Sequence, residues 1–344
     1  MRVSTQVEYA GGVRQAVDRV VELEGAGLDI VWVSEAYGWD APTLLGYLAA
    51  RTERVQIGSG ILPIYSRSPA LLAQTAAGLD HLSGGRAILG IGTSGPQVIE
   101  GWYGVAYDRP LERTRDVIEI CRQVWRREVL SHDGAYRVPL PEGQGTGVGK
   151  PLKLMTHPER ERVPIYLAAL GPKNVELAAE VAEGWMPIFF VPERAASVWG
   201  EALARGARKR LPELGPLEVV AGGMVAIGDG TEPLREWARP TLALYLGGMG
   251  ARGRNFYYDL ACRYGYEAEA TRVQDLYLAG HREEAARAVP SGLVEGTTLI
   301  GPPGYVMDRL TAYREAGVTV LSVTPLGPDP ARVVAKVREW AEHA

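Results

Sequence analysis

Val55-Gln56-Ile57-Gly58-Ser59-Gly60-Ile61-Leu62, a helical stretch from Pro69 to Leu82, the turn Ser83-Gly84-Gly85 and the run Ala87-Ile88-Leu89-Gly90-Ile91-Gly92 read as one complete β–α–β unit. The second apolar run is too short and too rich in β-formers for a helix, so it is a strand buried on both faces. The same alternation extends in both directions. Upstream lie a strand at Val3–Val7, a helix from Gly12 to Gly25, a strand at Ile30–Ser34 and a helix that Pro42 opens and that runs to about Thr52. Downstream comes a long helix from Pro110 to Val129, in which Val117, Ile120, Cys121, Val124 and Trp125 recur at helical spacing. Strands at Val163–Ala169, Trp185–Phe190, Leu217–Ile227 and Val318–Val323 follow, the first two separated from their successors by helices at Asn174–Ala182 and Glu193–Arg210.

Eight strands alternating with helices predict an α/β protein in which a parallel sheet closes on itself, a TIM (β/α)8 barrel. An open doubly wound sheet is the alternative. Two stretches break the rhythm. Residues 131–162 contain Gly143, Gly145, Gly147 and Gly149 and no apolar period, which predicts a loop or short hairpin inserted before strand five. Residues 231–290 read as helical pieces divided by Pro240 and Gly247, Gly248, Gly250 and Gly253, an insertion before strand eight. Residues 1–344 are expected to form a single domain.

Composition narrows the function classes. The chain is 46% hydrophobic and carries a formal charge of −4 with its basic residues dispersed, so it can build a large core and is not expected to bind nucleic acid. No apolar run approaches the roughly 18 residues that span a bilayer. The start, Met1-Arg2-Val3-Ser4-Thr5, enters a strand directly, which makes the cytoplasm the expected location. Cys121 and Cys262 have no partner in sequence, and His81, His132, His157, His281 and His343 form no close pair, so no metal site is expected.

Both sheet topologies place ligands at the carboxyl ends of the strands. Strand two ends at Ser34-Glu35-Ala36-Tyr37. Glu35 is the candidate catalytic acid or base, with a capping or ion-pairing role as the other reading. The glycines at Gly58 and Gly60 imply close approach either of a flat ligand ring or of a barrel bend. Strand four ends Gly90-Ile91-Gly92-Thr93-Ser94-Gly95-Pro96, which fits the Gly-x-Gly-x-x-Gly dinucleotide fingerprint. Pro96 and a polar stretch through Gly104 follow in place of a helix, and no acidic strand end comes at the required spacing, so these glycines are expected to make room for a ligand instead. Strand five ends Leu170-Gly171-Pro172-Lys173-Asn174 at a helix start, where free N–H groups and the helix dipole favour a phosphate. Gly184 and Trp185 either border the same pocket or belong to the core.

These segments resemble the luciferase-like monooxygenase superfamily, and within it the oxidoreductases that use coenzyme F420. The resemblance rests on Val31-Trp-Val-Ser-Glu-Ala-Tyr-Gly38, Gly58-Ser-Gly-Ile-Leu-Pro-Ile-Tyr-Ser-Arg67, Gly92-Thr-Ser-Gly-Pro-Gln-Val-Ile-Glu-Gly-Trp102 and Leu246-Gly-Gly-Met-Gly-Ala-Arg-Gly-Arg-Asn-Phe256. It implies a homodimeric enzyme with the deazaflavin ring across the barrel mouth, a small organic substrate, and a cis peptide at Gly60–Ile61 behind the ring. It also implies phosphate binding near Thr93, Gly171 and Asn174. The acid–histidine pair of some relatives is replaced by Glu35-Ala36, leaving Glu35, Tyr37 or Tyr65 for any proton transfer. FMN in a monooxygenase of the same superfamily is the alternative cofactor, and a cofactor-binding barrel without turnover is the alternative to an enzyme. Substrate walls are expected from 131–162 and 240–265, where Met249, Phe256, Tyr257 and Tyr258 fit an apolar lining, a core or a subunit interface.

Overall fold

A computed structural model describes residues 1–7 and 12–343. In chain order, β1 (Arg2–Val7) leads to α1 (Val13–Gly25), β2 (Ile30–Val33) to α2 (Ala41–Arg51), and β3 (Gln56–Ser59), with its continuation β4 (Leu62–Pro63), to α3 (Pro69–Ser83). Next come β5 (Ala87–Gly92), α4 (Pro96–Gly101), α5 (Pro110–Trp125) and an antiparallel hairpin of β6 (His132–Asp133) and β7 (Arg137–Val138). The chain continues through β8 (Ile165–Ala168), α6 (Pro172–Val181), β9 (Gly184–Met186), α7 (Pro192–Ala207) and β10 (Glu218–Ile227). Helices α8 (Ala238–Gly248), α9 (Phe256–Arg263), α10 (Glu267–Leu278), α11 (Arg282–Ala288) and α12 (Ser291–Gly296) then precede β11 (Leu299–Gly301), α13 (Pro303–Glu315), β12 (Val320–Pro325) and α14 (Pro330–His343).

The strands β1, β2, β3, β5, β8, β9, β10 and β12 pair in parallel in that order, and β12 returns to β1. The sheet is therefore a closed (β/α)8 barrel, and the open doubly wound alternative falls away. The register is regular: Ser4 faces Ile30, Ile30 faces Gln56, and Leu89 faces Ile165. One strand was not expected, since β11 adds to the carboxyl end of β10. Its three residues carry no alternation long enough to mark them.

Local chemistry explains the helix starts. Asp40 accepts the Thr43 N–H at 2.9 Å at the head of α2, and Ser68 accepts that of Leu71 at 3.3 Å at the head of α3, each followed by a proline in the first turn. The helix α3 ends on Gly84 at φ 66°, a left-handed position that glycine takes without steric cost. The long helix α5 stops at Trp125, short of the expected Val129, with Arg127 at φ 55° in the turn behind it.

Two cores result. The larger lies between the barrel and its helices; the smaller, inside the barrel, consists of Ile30, Trp32, Ile88, Tyr166, Val220 and Val320. Trp32 and Tyr166 stack at a tilt, 5.3 Å between centroids. A buried ring of about 200 Å² is worth on the order of 5 kcal/mol before entropy, enough to dictate its neighbours. A Cβ on Gly58 would lie 2.4 Å from the Trp32 ring and one on Gly184 2.3 Å from the Tyr166 ring. Beneath this layer Arg2 pairs with Glu218 at 2.6 Å and donates to Gln56, and the Tyr166 hydroxyl bonds Glu218, so the amino end of the barrel is sealed by polar contacts. No helix among the described residues is long and apolar enough to cross a membrane.

Candidate active site

Above the interior layer the barrel opens at the carboxyl ends of its strands. Inward positions of β1 alternate Arg2, Ser4, Gln6, and Gln6 reaches the mouth. Its Nε2 donates to Ser34 Oγ at 2.5 Å and to the Gly60 carbonyl at 3.1 Å, tying the ends of three strands together. The expected continuous third strand is interrupted here: β3 stops at Ser59, the Gly60–Ile61 peptide is cis, and β4 resumes at Leu62. Gly60 N–H still donates to the Val33 carbonyl at 2.8 Å.

The glycines of β5 answer to this bulge. A Cβ on Gly90 would fall 1.8 Å from the Ser59 carbonyl oxygen, and one on Gly92 would fall 3.1 Å from Ile61 Cδ1. These glycines admit the neighbouring strand and the Ile61 side chain. Gly95 differs, because a Cβ there meets nothing within 4 Å. It is the N-cap of α4, so a helix does open directly after the glycine fingerprint, though one of six residues on a closed barrel.

Glu35 is occupied. Its carboxylate accepts from both Arg67 terminal nitrogens, at 2.5 and 2.8 Å, and from the Ala41 N–H at 3.0 Å, with the Glu35 side chain 3% exposed. Arg67 also bridges to Asp40 at 2.6 Å. The geometry is that of a lock between the end of β2, the loop after β4 and the start of α2, the ion-pairing reading of this residue. Burial pushes Asp40 up, but bonds from Thr43 and Arg67 outweigh it and hold the carboxyl below its ordinary range.

The tyrosines near this edge are also committed. Tyr65 is buried, donates to the Asp108 carbonyl at 2.8 Å and stacks on Tyr107 at 5.2 Å. Burial pushes both phenols above their ordinary value, so they stay protonated. Tyr37 is exposed and lies 6.3 Å from Trp102. Thr93 and Ser94 follow β5 at the rim, Ser94 at φ 54°, with Thr93 Oγ1 and the Tyr107 hydroxyl both donating to the Ser94 carbonyl.

Across the mouth the arrangement changes. The helix α6 starts at Pro172 with Gly171 as its N-cap, two residues before the expected start at Asn174. No side chain caps it, and a Cβ on Gly171 meets nothing within 4 Å. The first of its N–H groups with an intrahelical partner is that of Val175, to the Gly171 carbonyl at 3.0 Å, so the N–H groups of Lys173 and Asn174 face outward. Nearby, Arg263 of α9 donates to the Leu170 carbonyl at 2.9 Å and lies over the Trp199 ring. Free N–H groups and the positive end of the helix dipole give this helix start a local preference for negative charge, with Arg263 beside it.

Gly184 and Trp185 do not reach the mouth. Gly184 sits at the amino end of β9 opposite Tyr166, and Trp185 is buried in the outer core with its Nε1 on the Ala169 carbonyl and its ring against Trp199. Gln6 and Arg263 were missed from sequence. Gln6 was findable from the polar inward alternation of β1. At the end of β9, Phe189 at φ 53° meets Tyr245 and Tyr257 edge to face at 5.1 and 6.2 Å, an aromatic wall contributed by α8 and α9.

Comparison with known proteins bears on the family and the fold. Residues 1–320 match a family model described as luciferase-like monooxygenase. A Mycobacterium tuberculosis protein provisionally named a coenzyme F420-dependent oxidoreductase is 42% identical over 342 residues, covering 97% of this chain and 98% of that protein. The 5,10-methylenetetrahydromethanopterin reductase of Archaeoglobus fulgidus is 27% identical over 89% of this chain and 88% of its own length. Among solved structures, the coenzyme F420 dependent tetrahydromethanopterin reductase of Methanopyrus kandleri superposes with a TM-score of 0.81 at 21% identity, covering 99% of this chain and 98% of that one.

Proposed function

Because the chain belongs to the luciferase-like monooxygenase family, we propose that it is an oxidoreductase that binds coenzyme F420 across the barrel mouth and transfers hydride between it and a small organic substrate. The observation that carries this reading is the uncapped start of α6 at Gly171, an anion site open beside a mouth whose wall is the Gly60–Ile61 bulge. Bound there, coenzyme F420 supplies a two-electron hydride carrier in its deazaflavin ring.

The chain supplies position and charge. Ser34, Gly60 and Ile61 back the ring, with Gln6 fixing the first two; Thr93, Ser94 and Gly95 line the rim between ring and tail. Leu170, Gly171, Lys173 and Asn174 receive the phosphate, assisted by Arg263. Glu35 is a positioning residue: with Arg67 it holds the end of β2 and the loop after β4, and no proton passes through it. The aromatic wall at Phe189 favours an apolar or aromatic substrate face. Residues 1–344 act as one barrel domain, and the active form is a homodimer.

Fluorescence titration of the protein with coenzyme F420 and with FMN tests the cofactor. Coenzyme F420 is expected to bind at least tenfold more tightly. Tighter binding of FMN, with oxygen uptake once it is reduced, would sink the proposal in favour of a flavin monooxygenase. Tight binding of reduced coenzyme F420 that no electron acceptor discharges would leave a carrier in place of an enzyme.

A further inference from the structure

Outside the barrel mouth, Asp116 and Glu119 of α5 and His132 of β6 bring one ligand atom each to within 4.8 Å of one another. Positions three apart on a helix share a face, so α5 presents both carboxylates to the hairpin of β6 and β7. The His132 side chain is 10% exposed and that of Asp116 8%. His132 Nε2 is wholly buried and has no hydrogen-bond partner among the described residues, although Asp116 Oδ1 lies 3.2 Å away. An unsatisfied buried nitrogen costs about 1–3 kcal/mol, so the position calls for a partner.

The separation names one. Two ligands on a tetrahedral ion with bonds of about 2.0 Å stand about 3.3 Å apart, close to the His132–Asp116 distance. The other Asp116 oxygen, Oδ2, accepts the Tyr136 N–H at 3.0 Å, which orients the carboxylate as an outer partner does in metal sites. A Cβ on Gly134 would lie 2.6 Å from Asp116 Oδ2 and 2.9 Å from His132 Nε2, so glycine keeps the space open. Glu119 is exposed and completes the set from the solvent side, leaving an entry path.

We propose that Asp116, Glu119 and His132 bind one divalent transition-metal ion of the zinc class, which pins the hairpin to α5. One imidazole with two carboxylates suits zinc or cobalt; calcium takes six to eight oxygens and magnesium near-octahedral oxygen ligation. The fourth position is left to water. The effect reaches the barrel, because Tyr136 in the same hairpin donates from its hydroxyl to the Ile64 carbonyl at 3.0 Å, just beyond β4. The site is independent of the cofactor reading.

Tag-free protein stripped with EDTA and titrated calorimetrically with zinc chloride, and with cobalt chloride followed by visible absorption, tests the assignment. One equivalent should bind, cobalt should give a ligand-field band of tetrahedral intensity, and saturating zinc should raise the thermal midpoint by about 2–5 °C. His132→Ala and Glu119→Gln should each weaken zinc at least tenfold, and Glu119 is exposed, so its replacement leaves folding intact. His281→Asn, which removes the exposed pair with Glu284, should change nothing. Zinc affinity in His132→Ala equal to that of the unaltered protein, or no saturable binding at millimolar zinc, would overturn the site and leave an ion pair of His132 with Asp116.

Discussion

The two sides of the barrel mouth are built on opposite principles. On the side of β2 and β3 the polar groups are spent on one another: Gln6 holds Ser34 and Gly60, and Arg67 holds Glu35 and Asp40. On the side of β8, the first turn of α6 leaves N–H groups uncapped, Gly171 faces open space, and Arg263 spends its side-chain hydrogen bond on the Leu170 carbonyl at the rim. Paired groups fix geometry and are poor at meeting a ligand, whereas exposed donors wait at little cost because water covers them until an anion does. The first side is a wall and the second a socket.

The sharpest way to break this contrast is Glu35→Gln. Disrupting a buried ion pair costs about 3–5 kcal/mol, and because Asp40 still accompanies Arg67 the loss should sit near the low end. Urea unfolding should show it as a lower midpoint, while single-turnover hydride transfer, measured well below that midpoint, falls less than tenfold. An unchanged midpoint with transfer slowed a hundredfold would make Glu35 a catalytic residue and the wall a reactive surface.

On the socket side, Arg263→Ala is expected to weaken coenzyme F420 about tenfold, roughly 1.4 kcal/mol, with the loss shrinking at high salt. A deazaflavin lacking the phosphate-bearing tail should bind the variant and the unaltered protein alike. Equal losses for both would place Arg263 in packing against Trp199, where its guanidinium also lies, and remove it from the socket.

The barrel was legible because its strands are short β-rich runs set off by helical periods, and a parallel sheet buried on both faces leaves little else for Ala87–Gly92 to be. What sequence could not show was which neighbour each glycine serves. Gly58, Gly90 and Gly184 all announce close approach, yet they admit Trp32, the Ser59 carbonyl and Tyr166, partners from other strands. Gly58 and Gly60 left a bend of the third strand open beside a ligand ring as the reason for close approach, and only the resemblance located the cis peptide at Gly60–Ile61. Arg263 joins Leu170 across 93 residues, a contact that no local pattern encodes. The Glu35 lock was half readable, since ion pairing was one of the two readings of Glu35, but nothing in the spacing joined it to Arg67, 32 residues on.

The smallest expected effect on stability is also the most selective test of the socket. Gly171→Ala enters ordinary backbone, φ −70° and ψ 147°, with no atom in its way. Alanine is a poorer N-cap than glycine by several tenths of a kcal/mol, but it restricts the unfolded chain by about 0.4–1 kcal/mol, so the two nearly cancel. Unfolding should therefore move by less than about 0.5 kcal/mol. Coenzyme affinity should nonetheless drop at least threefold, because the new methyl occupies the open space beside the Lys173 and Asn174 N–H groups. Gly95→Ala, also into open space but at the six-residue α4, provides the contrast. If the two alanines weaken the coenzyme equally, the phosphate is shared along the rim; if only Gly95→Ala does, the socket lies at the end of β5 and the two sides of the mouth exchange roles.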